Sequence, residues 1–153
     1  MKASKLNTAQ QRQNVDSLLR RWLTERQQLL SRFCSLSSAA KETAPSTSTQ
    51  PKIDRFCELL VDYVSAGHFE VYCELLDEGM RGGARGSREA ASLYQQIVPT
   101  TVVALDFNDR YLRRTGSTNF AADLSELGQM LASRFDWEDA LIRLQHLGSR
   151  AVA

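Results

Sequence analysis

The chain has 153 residues, of which 42% are hydrophobic and 24% charged, and its formal net charge is +1. That length predicts one domain spanning 1–153, with enough chain to bury roughly 70% of the surface that the unfolded form exposes. No run approaches the ~18 apolar residues of a membrane span, and no signal-peptide core follows the opening MKASKLNTAQQRQNVD, so a cytoplasmic protein without membrane contact is expected.

From about Thr8 to Leu36, Val15, Leu18, Leu19, Trp22, Leu29, Leu30 and Phe33 recur at helical spacing and predict a long first helix. Arg26 falls where that stripe demands an apolar residue. Its stem must lie against the bundle, and its guanidinium must find a carboxylate or carbonyls. Residues 37–51, SSAAKETAPSTSTQP, lose all periodicity and read as a flexible linker between the first and second helices, with Pro51 suited to the first turn of the next helix.

Ile53, Phe56, Cys57, Leu60, Val61 and Val64 then share one helical face, while Glu58, Asp62 and Ser65 are neighbours on the opposite one. Gly67 can supply the positive φ that ends a helix. A second periodic run, Phe69, Tyr72, Cys73, Leu76 and Met80, follows directly, so two helices are expected to meet at Ser65 to His68, with His68 capping or hydrogen-bonding at the junction.

RGGARGS at 81–87 predicts a flexible Gly/Arg loop; it is not a phosphate-binding loop, since no GxxxxGKS or GxxxxGKT pattern and no strand precede it. Ser87 can cap a short helix through Ile97, and Pro99 is expected to kink it or open the next, whose apolar residues are Val98, Val102, Leu105, Phe107, Tyr111 and Leu112. RTGSTN forms a turn, and Asn119 is a candidate N-cap for a last helix with Phe120, Leu124, Leu127, Leu131, Phe135 and Ile142 on its stripe. Beyond Ile142 the stripe is expected to stop, because Gln145 and His146 take the next two places. Arg134 and Glu138 lie on or beside that apolar side, four residues apart. Together with Arg26 they predict a buried polar cluster between the first and last helices, because charge is tolerated inside only when paired.

Period-two alternation is never sustained, so the predicted fold is all-α: an antiparallel helical bundle of four main helices plus a short or kinked extra helix. The three cysteines, Cys34, Cys57 and Cys73, sit in or beside apolar stripes and read as reduced core residues. Charge is uneven along the chain. Residues 1–41 carry eight Lys and Arg against two acids, a net of +6, whereas 54–78 carry seven acids against Arg55, a net of −6. Either these solvated faces neutralise one another in the fold, or the acidic one steers a basic partner.

The sequence argues against an enzyme. There are two histidines, His68 and His146, and no HExxH, GxSxG or CxxC pattern. Asp62, His68 and Cys73 lack the further ligands a metal requires, so neither metal nor cofactor is expected. Direct DNA binding is also disfavoured, because the basic first helix spends much of its length on a core stripe and the pI of about 7.7 is well below the ~9 of DNA-binding modules. What remains is a helical interaction module.

LVDYVSAGHFEVY at 60–72, with the preceding Phe56 and Cys57, resembles the signature of the Rsd/AlgQ family of bacterial anti-sigma factors. Arg21, Trp22, Leu23, Arg26, Leu29 and Leu30 are similar to that family's first helix, and Ala132, Arg134, Phe135, Glu138, Asp139, Leu141 and Ile142 to its last. The linker, the Gly/Arg loop and Pro99 depart from the pattern. The resemblance implies an anti-sigma factor that binds region 4 of the principal sigma factor one to one, is a monomer when free, and blocks that region's contacts with promoter DNA and core RNA polymerase. A helical adaptor with a different partner and a DNA-binding transcription regulator are the alternatives. Asp62 and Ser65 lie in the resembling stretch and also point away from the core on the helical wheel. Glu58, His68, Phe69, Tyr72 and Trp22 complete the candidate partner-binding residues.

Overall fold

The computed structural model describes residues 2–42, 49–81, 83–113 and 119–151. All their regular structure is helical: α1 (Lys2–Glu42), α2 (Gln50–Ala66), a π-helical turn (Gly67–Val71), α3 (Tyr72–Arg81), α4 (Gly83–Tyr111) and α5 (Phe120–Ala151). Because α2, the turn and α3 follow without interruption, they form one long rod, and the architecture is an all-α bundle of four main helices.

Contacts between distant residues fix the directions. Trp22 stacks on Tyr63 and Phe33 meets Phe56, so α2 runs back along α1. Gln50 Nε2 donates to the carbonyl of Tyr111, which joins the start of α2 to the end of α4. Phe120 packs on Tyr111 while Arg134 reaches Thr100, so α5 is antiparallel to α4. The core between these helices contains Trp22, Leu29, Phe56, Leu60, Tyr63, Ile97, Phe107, Leu124, Leu131 and Leu141.

Several boundaries differ from the sequence expectation. The first helix continues past Leu36 to Glu42, because Ala39, Ala40, Lys41 and Glu42 are strong helix formers and nothing there stops it. Pro51 occupies the first turn of α2, whose Lys52 and Ile53 amides donate to the Thr49 carbonyl at 3.0 and 3.1 Å. Residues 43–48 of the expected linker, Gly82, and 114–118 of the expected RTGSTN turn lie outside the described residues. Most of the expected Gly/Arg loop is instead the first turns of α4. Gly83, at φ 87°, supplies the left-handed conformation that reverses the chain. The residues after it propagate a helix that an Arg85–Glu89 pair bridges on its surface.

Pro99 does not open a new helix; it lies inside α4. Loss of a backbone bond and a ring clash there cost about 3 kcal/mol, but burying a single large apolar side chain returns about 1.5–3 kcal/mol. Ile97, Thr100, Ala104, Phe107 and Tyr111 are buried in unbroken phase across the proline, so packing on both sides outweighs the defect. The same phase turns Val98, Val102 and Leu105, expected in the core, out to solvent. Of the cysteines only Cys57 is core; burial, together with the charges of Asp54 and Glu58, pushes its thiol up to about 12. Cys34 and Cys73 are exposed, since each sits one helical step off a buried neighbour, Phe33 being part-buried and Tyr72 wholly so. Gln145 is buried although the last stripe was expected to stop at Ile142. Among the described residues, no helix is long and apolar enough to cross a membrane.

Candidate functional site

The stretch where two helices are expected to meet holds a wide helical turn. Gly67 is helical, with φ −57° and ψ −53°, and the backbone N–H of Tyr72 donates to the Gly67 carbonyl five residues earlier. The sequence pattern carries the reason. Continued at ~100° per residue from Leu60, an ordinary α-helix would leave Tyr72 about 120° away from the core direction. One wide turn accommodates about one extra residue and swings the following helix back by about 100°. Tyr72 and Leu75 thereby enter the core, whereas Cys73 and Glu74 face outwards. At Gly67 the missing side chain gives space rather than flexibility, because Tyr72 and Trp22 pack closely against it. A Cβ there would stand 3.0 Å from the Tyr72 hydroxyl oxygen and 3.1 Å from Trp22 Cζ2.

Beneath this turn Arg26, Arg134 and Glu138 meet. Glu138 Oε1 accepts from the Tyr63 hydroxyl at 2.6 Å and from Arg26 Nη2 at 3.3 Å. Its Oε2 accepts from the Tyr72 hydroxyl at 2.5 Å and from Arg134 Nε at 3.2 Å. Arg134 spends its other donors on the Tyr72 hydroxyl at 2.7 Å and on the Thr100 and Thr101 hydroxyls at 3.0 and 2.8 Å. Arg26 also donates to Tyr63 at 3.0 Å and to Asp139 at 2.6 Å, and its guanidinium lies over the Phe135 and Trp22 rings. Two guanidiniums therefore face two carboxylates.

The protonation states follow from the surroundings. Burial pushes both phenols far up, and the negative charge of Glu138 adds to it, so Tyr63 and Tyr72 remain hydroxyl donors. For Arg26, burial works against the charge, yet Tyr63, Asp139 and Glu138 together hold it above the usual guanidinium range. Trp22 closes the other side, its indole N–H donating to the Tyr63 carbonyl at 3.2 Å.

Above the network lies the candidate surface. Phe69, at the crown of the turn, is 76% exposed, an unusual position for a phenylalanine. Asp62 and Glu58 are exposed and Ser65 half-buried on the same rod, and Glu58 is paired with Arg55 at 3.4 Å. His68 is half-buried, its ring edge-on to Phe69 and roughly parallel to Tyr94. Trp22 and Tyr72 do not belong to the surface. Each is 1% exposed, because the wide turn folds Tyr72 inwards and Trp22 fills the space beside Gly67.

Two acids not singled out from the sequence join this face. Burial raises the Glu25 carboxyl pKa, the charge of Asp62 adds to that, Arg21 opposes it, and Glu70 adds a smaller contribution. Glu25 Oε2 is shielded from solvent and accepts no hydrogen bond among the described residues. Glu25 was hidden by its place on a helix whose net charge is positive, and only packing sets it against Asp62 and Glu70. Among the described residues, no three His, Cys, Asp or Glu side chains converge as a metal site would require.

Residues 1–146 match the family described as regulator of RNA polymerase sigma(70) subunit, Rsd/AlgQ. The chain is 34% identical over 135 residues to a protein of Enterobacter sp. (strain 638) named Regulator of sigma D, covering 84% of this chain and 80% of that one. Proteins of the same name from Yersinia enterocolitica and Yersinia pestis are 29% and 28% identical over 133 residues, covering 84% of this chain and 80% and 79% of theirs. No solved structure matches the chain significantly.

Proposed function

The chain belongs to the Rsd/AlgQ family of regulators of the RNA polymerase sigma(70) subunit, and from that premise we propose that it is a cytoplasmic anti-sigma factor acting by occlusion. Its target is region 4 of the principal sigma factor, bound one to one by a protein that is monomeric when free. A promoter-reading helix-turn-helix must be rich in Lys and Arg to hold phosphates. An acidic surface with one protruding aromatic anchor suits such a partner, since anchors of this kind carry much of the energy of an interface while charge selects and steers the partner.

The observation that carries the reading is the exposure of Phe69 on the same rod as Asp62, Ser65 and Glu70, with Glu25 of α1 set against Asp62 and Glu70. No reaction is assigned to the protein; its effect is to cover the surface that region 4 would present to promoter DNA and core polymerase. Titration calorimetry of the purified chain with isolated region 4 tests this. Binding with one-to-one stoichiometry is expected, and Asp62→Lys should weaken it at least about tenfold while leaving the melting temperature unchanged, because Asp62 is exposed. Equal affinity of the Asp62→Lys chain would remove the acidic face from the interface, and absence of binding by the unaltered chain would refute region 4 as the target.

A further inference from the structure

We propose that Tyr72 and Glu138 are positioning residues for the partner surface, holding the π-helical turn in the register that presents Phe69 and Glu70 beside Asp62 and Ser65. The inference rests on the reading of that surface as the binding face.

Both ends of the turn are clamped from below. Its closing residue, Tyr72, bonds through its backbone N–H to the Gly67 carbonyl. The Tyr72 side chain folds back over the first residue, so the same hydroxyl that packs against Gly67 donates to Glu138 and accepts from Arg134. Arg134 is anchored in turn on Thr100 and Thr101, next to Pro99 in α4. Trp22 fills the other side of Gly67 and is fixed by the Tyr63 carbonyl.

Between the clamped ends, Phe69 and Glu70 project into solvent. The one ring contact of Phe69 among the described residues is with its neighbour His68. The position of Phe69 is therefore inherited from the clamp. A wide turn is uncommon because ordinary helix geometry is more favourable, and such turns persist where surrounding interactions hold them. If the Tyr72 tie is released, the turn can relax towards α-helix, which rotates Phe69 and Glu70 relative to Asp62 and Ser65 and changes how the anchor and the acids are arranged on the rod.

Tyr72→Phe removes the tie and keeps the ring in the core. Two measurements on the full chain judge the proposal, the first without any partner. In amide NMR spectra, Tyr72→Phe should shift the resonances of residues 67–71 and speed hydrogen exchange of the residue 72 amide, while amides elsewhere in α2 stay in place; an unchanged turn would overturn the proposal. The second is a double-mutant cycle by calorimetry with region 4, well below the melting temperature. Tyr72→Phe should weaken binding about tenfold when Phe69 is present and add nothing in a Phe69→Ala background. Equal losses in both backgrounds, or wild-type affinity for Tyr72→Phe when Phe69→Ala is weak, would overturn it. Glu138→Leu, which leaves the Tyr72 hydroxyl no acceptor at this position, should reproduce the Tyr72→Phe shifts at 67–71, and the absence of those shifts in a folded Glu138→Leu chain would also count against the clamp. If the unaltered chain fails to bind region 4, the proposed function falls and the clamp is still decided by the spectra.

Discussion

Replacing Glu138 with Gln removes the one fully buried carboxylate that two guanidiniums and two phenols share. Glu138 and Arg134 are each 0% exposed, so neither can turn to water when its partner is lost. After the substitution, Arg134 keeps the hydroxyls of Tyr72, Thr100 and Thr101 but has no carboxylate. Stranding a buried charge in this way costs about 3–5 kcal/mol. Arg26 adds little, because it retains Asp139 at 2.6 Å and its side chain is 12% exposed. For a chain of this length a loss of that size lowers the melting temperature by roughly 6–20 °C. Asp139→Asn is the matched control. Asp139 is 44% exposed, its pair with Arg26 is worth at most about 1 kcal/mol, and the expected shift is under ~4 °C. Thermal melts followed by circular dichroism, with urea titrations of the same samples, measure both. If Glu138→Gln melted within about 2 °C of the unaltered chain, or if Asp139→Asn cost more, the network would not be the buried, mutually dependent cluster described above.

Three further outcomes follow from the same geometry. Affinity for region 4 should fall steadily between low and high salt, because exposed charges are screened over ~8 Å at physiological ionic strength; a salt-independent affinity would assign the interface to apolar contacts around Phe69 alone. Glu25 holds its proton more tightly when folded than when unfolded, so it lowers stability as pH rises from the ordinary carboxylate range through its raised pKa. Glu25→Gln should therefore be more stable at neutral pH by no more than about 1 kcal/mol, lose that advantage in acid, and bind region 4 more weakly; denaturant titrations at two pH values check the first two points. Gly67→Ala should destabilise the fold, because a Cβ 3.0 Å from the Tyr72 hydroxyl and 3.1 Å from Trp22 forces overpacking of about 1–3 kcal/mol, more than the ~1 kcal/mol gained in helix propensity. A Gly67→Ala chain that melts higher than the parent would show that the space beside the turn is not filled as described.

The sequence by itself determined what depends on the phase of one helix at a time. Period 3.6 without any sustained alternation specifies an all-α chain, the wheel of 53–66 turns Glu58 and Asp62 outwards, and the interruptions at Arg26, Arg134 and Glu138 mark the places where charge must enter the interior. Tertiary structure decided everything that depends on what lies opposite. The change of phase after Val64 was legible, but a chain reversal and a wide turn reset phase alike, and only the fit of Tyr72 over Gly67 and onto Glu138 selects the turn. Pro99 reads as a break from its own chemistry and survives inside α4 because both flanks are packed. Trp22 and Tyr72 look like interface aromatics until the bundle closes around them, and Glu25 looks like a minor acid on a basic helix until packing sets it against Asp62, 37 positions away. Helical periodicity fixes which side of each helix is apolar. Which side chains share a field, a hydrogen bond or a void is settled only when the helices pack, because those energies act across space over a few ångströms, whatever the separation along the chain.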